Sequence, residues 1–136
     1  MIAYVDTTAV ICLVEAIEPS FDGLRTHLRR ASRLCCSTLT ITEALTTAAR
    51  SSTTNYTAVF EQFFESRQLL LMSADRTICR HAGGLPDRFK LTTADAAHLA
   101  TAVEAKADLF LTTDRDFARA QELARPTILV IDRPPS

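Results

Sequence analysis

The sequence predicts an α/β fold in which helices cover both faces of a parallel sheet. Three observations carry this. Short, continuously apolar runs recur along the chain, as strands buried on both faces require. Segments with apolar residues at helical spacing alternate with them. No internal repeat or linker interrupts the 136 residues, a length that fits one domain, residues 1–136.

Ile2–Val5 is the first apolar run and reads as a buried strand. Thr8–Ile17 follows as a helix, apolar at Ala9, Val10, Leu13, Val14 and Ile17. Pro19 and Ser20 open a second helix. It sets Phe21, Leu24 and Leu28 on one face and leaves Arg25, Arg29, Arg30 and Arg33 mostly off it. Leu34–Ser37 is the second strand, with a helix from about Thr40 to Arg50 and a polar break at Ser51–Thr54. Tyr56, Val59, Phe60, Phe63 and Phe64 then recur at helical spacing. Leu69–Met72 is the third strand, followed by a helix from Ala74 to about Ala82. Gly83-Gly84-Leu85-Pro86 reads as a loop. A helix from Thr93 to Ala105 leads to a strand at Leu109–Leu111, a helix at Arg115–Leu123 and a last strand at Ile128–Ile131.

Composition excludes several classes. At 47% hydrophobic the chain can build a core, so it is not intrinsically disordered. The apolar stretch from Ile2 to Ile17 is interrupted by Asp6 and Glu15 and has no basic leader, so neither a signal peptide nor a membrane span is expected, and the cytoplasm is the default location. Cys12, Cys35, Cys36 and Cys79 contain no C-x-x-C pair, and are expected to be reduced, buried thiols, with Cys35 and Cys36 facing opposite ways. A net charge of −1 counts, at first sight, against a nucleic-acid substrate.

In a parallel sheet the reactive groups gather beyond the carboxyl ends of the strands. Asp6 directly follows the first strand, and Asp114 follows Leu109–Leu111. Glu43 lies near the start of the helix after the second strand, and Asp95 opens a helix after a loop. Taken singly, these acids have a structural explanation. Thr40-x-x-Glu43, Thr92-x-x-Asp95 and Thr113-x-x-Asp116 all match the capping box. Taken together they exceed what capping asks. Carboxylates crowded together repel unless a cation neutralises them, and Mg²⁺ or Mn²⁺ suits a site made of carboxylates and water. Such ions support in-line attack on a phosphodiester. Phosphate loops, dinucleotide fingerprints and nucleophile elbows are absent, and His27, His81 and His98 are scattered.

At these residues the chain resembles the PIN-domain family, specifically its VapC-like toxin ribonucleases. The resemblance runs over nearly the whole chain. It is strongest at Tyr4-Val5-Asp6-Thr7-Thr8-Ala9, around Glu43, at Thr93-Ala94-Asp95-Ala96-Ala97-His98-Leu99-Ala100-Thr101-Ala102, and at Leu111-Thr112-Thr113-Asp114-Arg115-Asp116-Phe117. It implies a three-layer α/β/α sandwich with a mostly parallel sheet, and Mg²⁺- or Mn²⁺-dependent endoribonuclease activity. It also implies a cognate VapB-like antitoxin, a homodimer or toxin–antitoxin hetero-oligomer, and products with 5′-phosphate and 3′-hydroxyl ends. By motif, Asp6, Glu43, Asp95 and Asp114 match the acidic quartet that holds metal, Asp116 matches a frequent additional acid, and Thr7 and Thr112 match hydroxyls beside the site. Thr8 stands where many relatives carry Ser, a departure that leaves the acids untouched.

The remaining candidates are of other kinds. His98 lies three residues after Asp95 on the same helical face, where packing or support of the site is the expected role. Arg25, Arg29, Arg30, Arg33 and Arg115 are candidate RNA contacts, because Arg suits phosphate geometry. Tyr56, Phe60, Phe63 and Phe64 read first as core and second as a groove for an amphipathic antitoxin segment. Two rivals stand beside the ribonuclease reading: an RNA-binding translation inhibitor that does not cleave, and a small doubly wound phosphoryl-transfer enzyme. Acids without metal repel phosphate, which counts against the first. Asp6-Thr7-Thr8 lacks the Asp-x-Asp that a phosphatase of the second kind would want.

Overall fold

The computed structural model describes residues 1–50 and 55–132. The polar break expected at Ser51–Thr54 lies outside them. The order is β1 (Ile2–Val5), α1 (Thr7–Val14), α2 (Ser20–Leu28), β2 (Arg33–Ser37), α3 (Thr38–Arg50), α4 (Thr57–Phe64), β3 (Leu69–Met72), α5 (Arg76–Ala82), α6 (Leu85–Phe89), α7 (Thr93–Glu104), β4 (Leu109–Thr112), a 3₁₀ helix (Arg115–Ala120) and β5 (Thr127–Val130).

The strands form one sheet in the order β3-β2-β1-β4-β5, and every pairing is parallel. The chain winds outward from β1 through β2 to β3, then returns to the other side of β1 for β4 and β5. The carboxyl ends of β1 and β4 therefore flank the point where the winding reverses, which is where open α/β sheets leave a crevice.

Side-chain alternation along each strand divides the core in two. Tyr4, Cys35, Phe110 and Ile128 face one layer, packed against α5, α6, α7 and the 3₁₀ helix through Ile78, Leu85, Phe89, Leu99 and Phe117. Ala3, Val5, Cys36, Leu69 and Leu111 face the other, packed against α1, α2, α3 and α4 through Val10, Leu24, Ala44 and Phe60. The α/β/α sandwich is thus present, with a sheet that is wholly parallel. Cys35 and Cys36 point into opposite layers, as the strand period requires, and burial pushes both thiols up to about 12. Cys79 is exposed rather than buried.

Four local readings change. The first helix ends at Val14 rather than Ile17, with Ala16 left-handed at φ 53°. The glycine pair before Leu85 makes a turn, but a short helix, α6, begins directly after it. Leu85 and Phe89, four residues apart, bury one face of that helix, and Lys90 ends it at φ 55°. The segment after β4 is a 3₁₀ helix that stops at Ala120. Finally, α3 starts at Thr38, so Thr40 lies inside the helix, fully buried, and Glu43 is released from any capping role.

Candidate metal centre and active site

The carboxyl end of the sheet carries a close group of acids. Asp95, Asp114 and Asp116 each offer a carboxylate oxygen within 4.8 Å of the others. Asp95 lies in the first turn of α7, whose N-cap Thr92 accepts its backbone N–H at 3.1 Å. Asp114 follows β4 and caps the 3₁₀ helix, accepting the Asp116 N–H at 2.9 Å. That same cap turns Asp116 toward Asp95, and half of the Asp116 side chain stays exposed, 3.3 Å from Arg119. Burial raises the Asp95 pKa first, and the charges of Asp114 and Asp116 raise it further; the Thr92 hydroxyl and His98 oppose this. The group is a set of oxygen donors that repel one another, which is the donor set a hard divalent cation fits.

Asp6 stands beside this group rather than within it. It is buried at the end of β1 and caps α1. Its Oδ1 accepts the Ala9 N–H at 3.0 Å and the Thr8 hydroxyl at 2.9 Å, and its Oδ2 accepts the Thr112 hydroxyl at 2.5 Å. Burial lifts the Asp6 pKa, and these bonds work against it. Thr112 ties Asp6 to the acidic group, because its oxygen also accepts the Asp114 N–H at 2.9 Å.

Glu43 reaches the same end from α3. Its Oε1 accepts the Thr7 hydroxyl at 2.7 Å and lies 2.7 Å from Nε2 of His98. A carboxylate only accepts, so Nε2 carries the proton. On the other side of the ring the Tyr4 hydroxyl lies 2.7 Å from Nδ1. Burial raises the Tyr4 pKa, so the phenol keeps its proton. The His98 hydrogen bond is the leading cause holding the Glu43 pKa below its ordinary value. His98 therefore touches Glu43 and also lowers the pKa of Asp6 and of Asp95.

The structure thus brings Asp95, Asp114 and Asp116 into one group and joins Asp6 to it through Thr112, while Glu43 is held on Thr7 and His98 outside that group. Of the three capping boxes read from sequence, Thr92-x-x-Asp95 keeps its cap bond, Asp114 takes the capping role that Thr113 was expected to fill, and Thr40 caps nothing because it lies inside α3; Asp6 caps a different helix, α1. Sequence reasoning missed Tyr4 and Thr8. A tyrosine inside an otherwise aliphatic strand is the available signal for Tyr4, since its buried hydroxyl needs a partner.

The other candidates separate. Arg25, Arg29 and Arg33 line a cavity of about 330 Å³ with Ser32 and Gln68, while Arg30 does not line it. This cavity sits at the amino end of β2, and the strand carries the chain roughly 13 Å from Arg33 to Ser37 before the acidic end is reached. Arg115 is exposed between Asp114 and Asp116. Phe60 is fully buried in the core, which overturns it as a groove residue: its ring fills the layer under α4. Tyr56, Phe63 and Phe64 pack partly buried against that layer, and Val59 is 45% exposed. Among the described residues no helix is long and apolar enough to cross a membrane.

The PIN domain family model matches residues 3–123, and the chain belongs to that family. Solved structures agree on the fold. A chain of the VapBC2 complex from Rickettsia felis, bound to a DNA fragment from its promoter, matches with a TM-score of 0.72 at 14% identity, covering 97% of this chain and 100% of that one. VapC20 from Mycobacterium tuberculosis, a toxin that cleaves the sarcin-ricin loop, matches with a TM-score of 0.73 at 15% identity over 87% of this chain and 94% of that one. A chain of FitAcB from Neisseria gonorrhoeae matches with a TM-score of 0.66 at 16% identity, over 95% and 96%. No curated protein matches the sequence.

Proposed function

We propose that this PIN-domain chain is a Mg²⁺- or Mn²⁺-dependent endoribonuclease and the toxin of a VapBC-like pair, acting in the cytoplasm. The observation that carries the reading is the Asp95, Asp114 and Asp116 group at the carboxyl ends of the strands, joined to Asp6 through Thr112. A divalent cation bound there would activate water and neutralise charge developing on a phosphodiester. Asp95 and Asp114 supply ligand oxygens, with Asp116 adding a third. Asp6 and Thr112 hold the β4 loop in register with β1, so that Asp114 keeps its place. Glu43, held by Thr7 and His98, is the fourth acid of the family pattern.

Arg115 is the arginine placed to meet an RNA phosphate near the acids. Arg25, Arg29, Arg30 and Arg33 serve RNA only at a distance, as contacts to flanking strand. Tyr56, Phe63 and Phe64, with exposed Val59, mark α4 as the face for an antitoxin segment; a homodimer is the expected assembly. The order β3-β2-β1-β4-β5 is a doubly wound one, so it is the missing Asp-x-Asp after β1, and not the winding, that counts against the phosphoryl-transfer rival.

The test is incubation of the purified chain with a mixed RNA pool, with Mg²⁺ or with EDTA. The reading expects new 5′-phosphate and 3′-hydroxyl ends with Mg²⁺ and none with EDTA. Binding of RNA without new ends under any metal would support the non-cleaving alternative instead.

A further inference from the structure

His98 and Tyr4 are buried polar groups that lie outside the acidic group itself. Each spends its hydrogen-bonding capacity on the other or on the acidic site. The Tyr4 hydroxyl meets Nδ1 at 2.7 Å, and Nε2 meets Oε1 of Glu43 at 2.7 Å, with the Thr7 hydroxyl 3.2 Å away. The rings are held by packing as well. Tyr4 meets His98 edge-on at 6.0 Å and stacks on Phe110 at 5.1 Å, and Phe110 leans on Phe117 at 4.7 Å. His98 is 2% exposed, so it neither samples other rotamers freely nor exchanges its partner for water.

The consequence falls on Glu43. This residue projects from α3, on the opposite side of the sheet from α7, and its side chain is one-third exposed. A free glutamate of that kind swings through several rotamers. Here both donors converge on Oε1, and among the described residues Oε2 accepts no hydrogen bond. Glu43 lies outside the 4.8 Å group of Asp95, Asp114 and Asp116, but His98 that holds it stands one turn after Asp95 on α7. We infer that His98 is a positioning residue: oriented by Tyr4, it pins Oε1 and leaves Oε2 free to reach a cation bound at that group. This rests on the metal-dependent reading above and adds a residue that acts through another rather than on the substrate.

The proposal predicts a graded loss of metal binding that does not depend on turnover. Mn²⁺ is titrated into the purified, RNA-free chain, and free Mn²⁺ is read by electron paramagnetic resonance; circular dichroism confirms folding of each variant. His98→Ala is expected to weaken Mn²⁺ binding by about 10- to 100-fold, the usual effect of removing a group that orients a ligand. His98→Gln keeps an N–H donor near the Nε2 position and is expected to recover part of that loss. Tyr4→Phe frees Nδ1 and is expected to fall between wild type and His98→Ala. Wild-type affinity in folded His98→Ala overturns the role, as does equal loss in His98→Ala and His98→Gln, which would make the ring mere filling. If His98→Ala does not fold, wild-type affinity in both His98→Gln and Tyr4→Phe overturns it. Absence of Mn²⁺ binding by the wild type removes the metal reading itself, and this proposal with it.

Discussion

Asp95 and Asp6 are both acids whose pKa is raised by burial, yet they do different work. Asp95 is raised further by Asp114 and Asp116, a repulsion that a bound cation would relieve. Asp6 meets three hydrogen-bond donors and serves the backbone as a cap. Asp95→Asn and Asp114→Asn are therefore expected to abolish Mg²⁺-dependent RNA cleavage, to below about one-hundredth of wild type, while circular dichroism and thermal melting stay near wild type. Thr112→Val removes the link between Asp6 and Asp114 without adding bulk. It is expected to lower both cleavage and stability, the latter by about 1–3 kcal/mol because the Asp6 oxygen is left buried without its donor, measured by urea unfolding. Thiol chemistry gives an independent check at the same scale. With Cys35 and Cys36 pushed up to about 12 and buried, iodoacetamide at pH 8 is expected to label Cys79 and leave those two unmodified in native protein, read by peptide mass spectrometry.

Individual helices and strand ends show where local pattern sufficed and where it did not. The strands β1, β2 and β3 were legible because a strand buried on both faces reads as a short apolar run, set off here from the longer apolar run of α1 by its length. The helix α6 was hidden because Gly83, Gly84 and Pro86 are loop signals, yet the glycines form only the turn and the helix follows at once. The aromatic stripe of α4 was legible as a stripe, but the depth of each ring was not. On a short helix only the tertiary contacts decide that Phe60 is fully buried while Val59 is 45% exposed. Phe60→Ala is accordingly expected to cost about 3–5 kcal/mol in urea unfolding, and Val59→Ser less than about 0.5 kcal/mol. At the far end of the sheet, Asp108 accepts the Ile2 N–H at 2.9 Å and pairs with Arg125 at 3.0 Å. The Ile2 N–H is the first cause of its lowered pKa. A carboxylate lowered on folding contributes stability that is present above its unfolded pKa and lost as pH falls through its folded pKa. Asp108→Asn is expected to flatten the fall in melting temperature below about pH 4.

Across the whole chain, the acids of the site were legible in sequence as residues and only partly as geometry. Asp6, Asp95 and Asp114 follow strands or open helices, and a parallel sheet brings such positions to one end. Their order of contact was not legible, because it depends on loop details: Asp116 is bonded to Asp114 by a capping bond and lies near Asp95, and Glu43 is held by His98, 55 residues away in sequence. Charge is reordered in the same way. Setting aside Asp6, Glu43, Asp95, Asp114 and Asp116 leaves 15 basic residues against 11 of the 16 acidic ones, so the net charge of −1 divides into an acidic centre and a mildly basic remainder. Near neutrality of the sum is no objection to an RNA substrate. The distribution predicts RNA binding that weakens as salt rises, with Arg115→Ala reducing the salt slope by about one phosphate contact, measured by fluorescence anisotropy on labelled RNA with the Asp95→Asn chain, which is expected to bind without cutting. The decisive comparison is a map of RNA 5′ ends in cells after induction of the wild-type chain and of the Asp95→Asn, Asp114→Asn double variant. New 5′-phosphate ends at discrete positions with the wild type and none with the variant are the predicted result. Growth arrest without new ends, or the same ends from both chains, would contradict a metal-dependent RNA-cleaving centre at these acids.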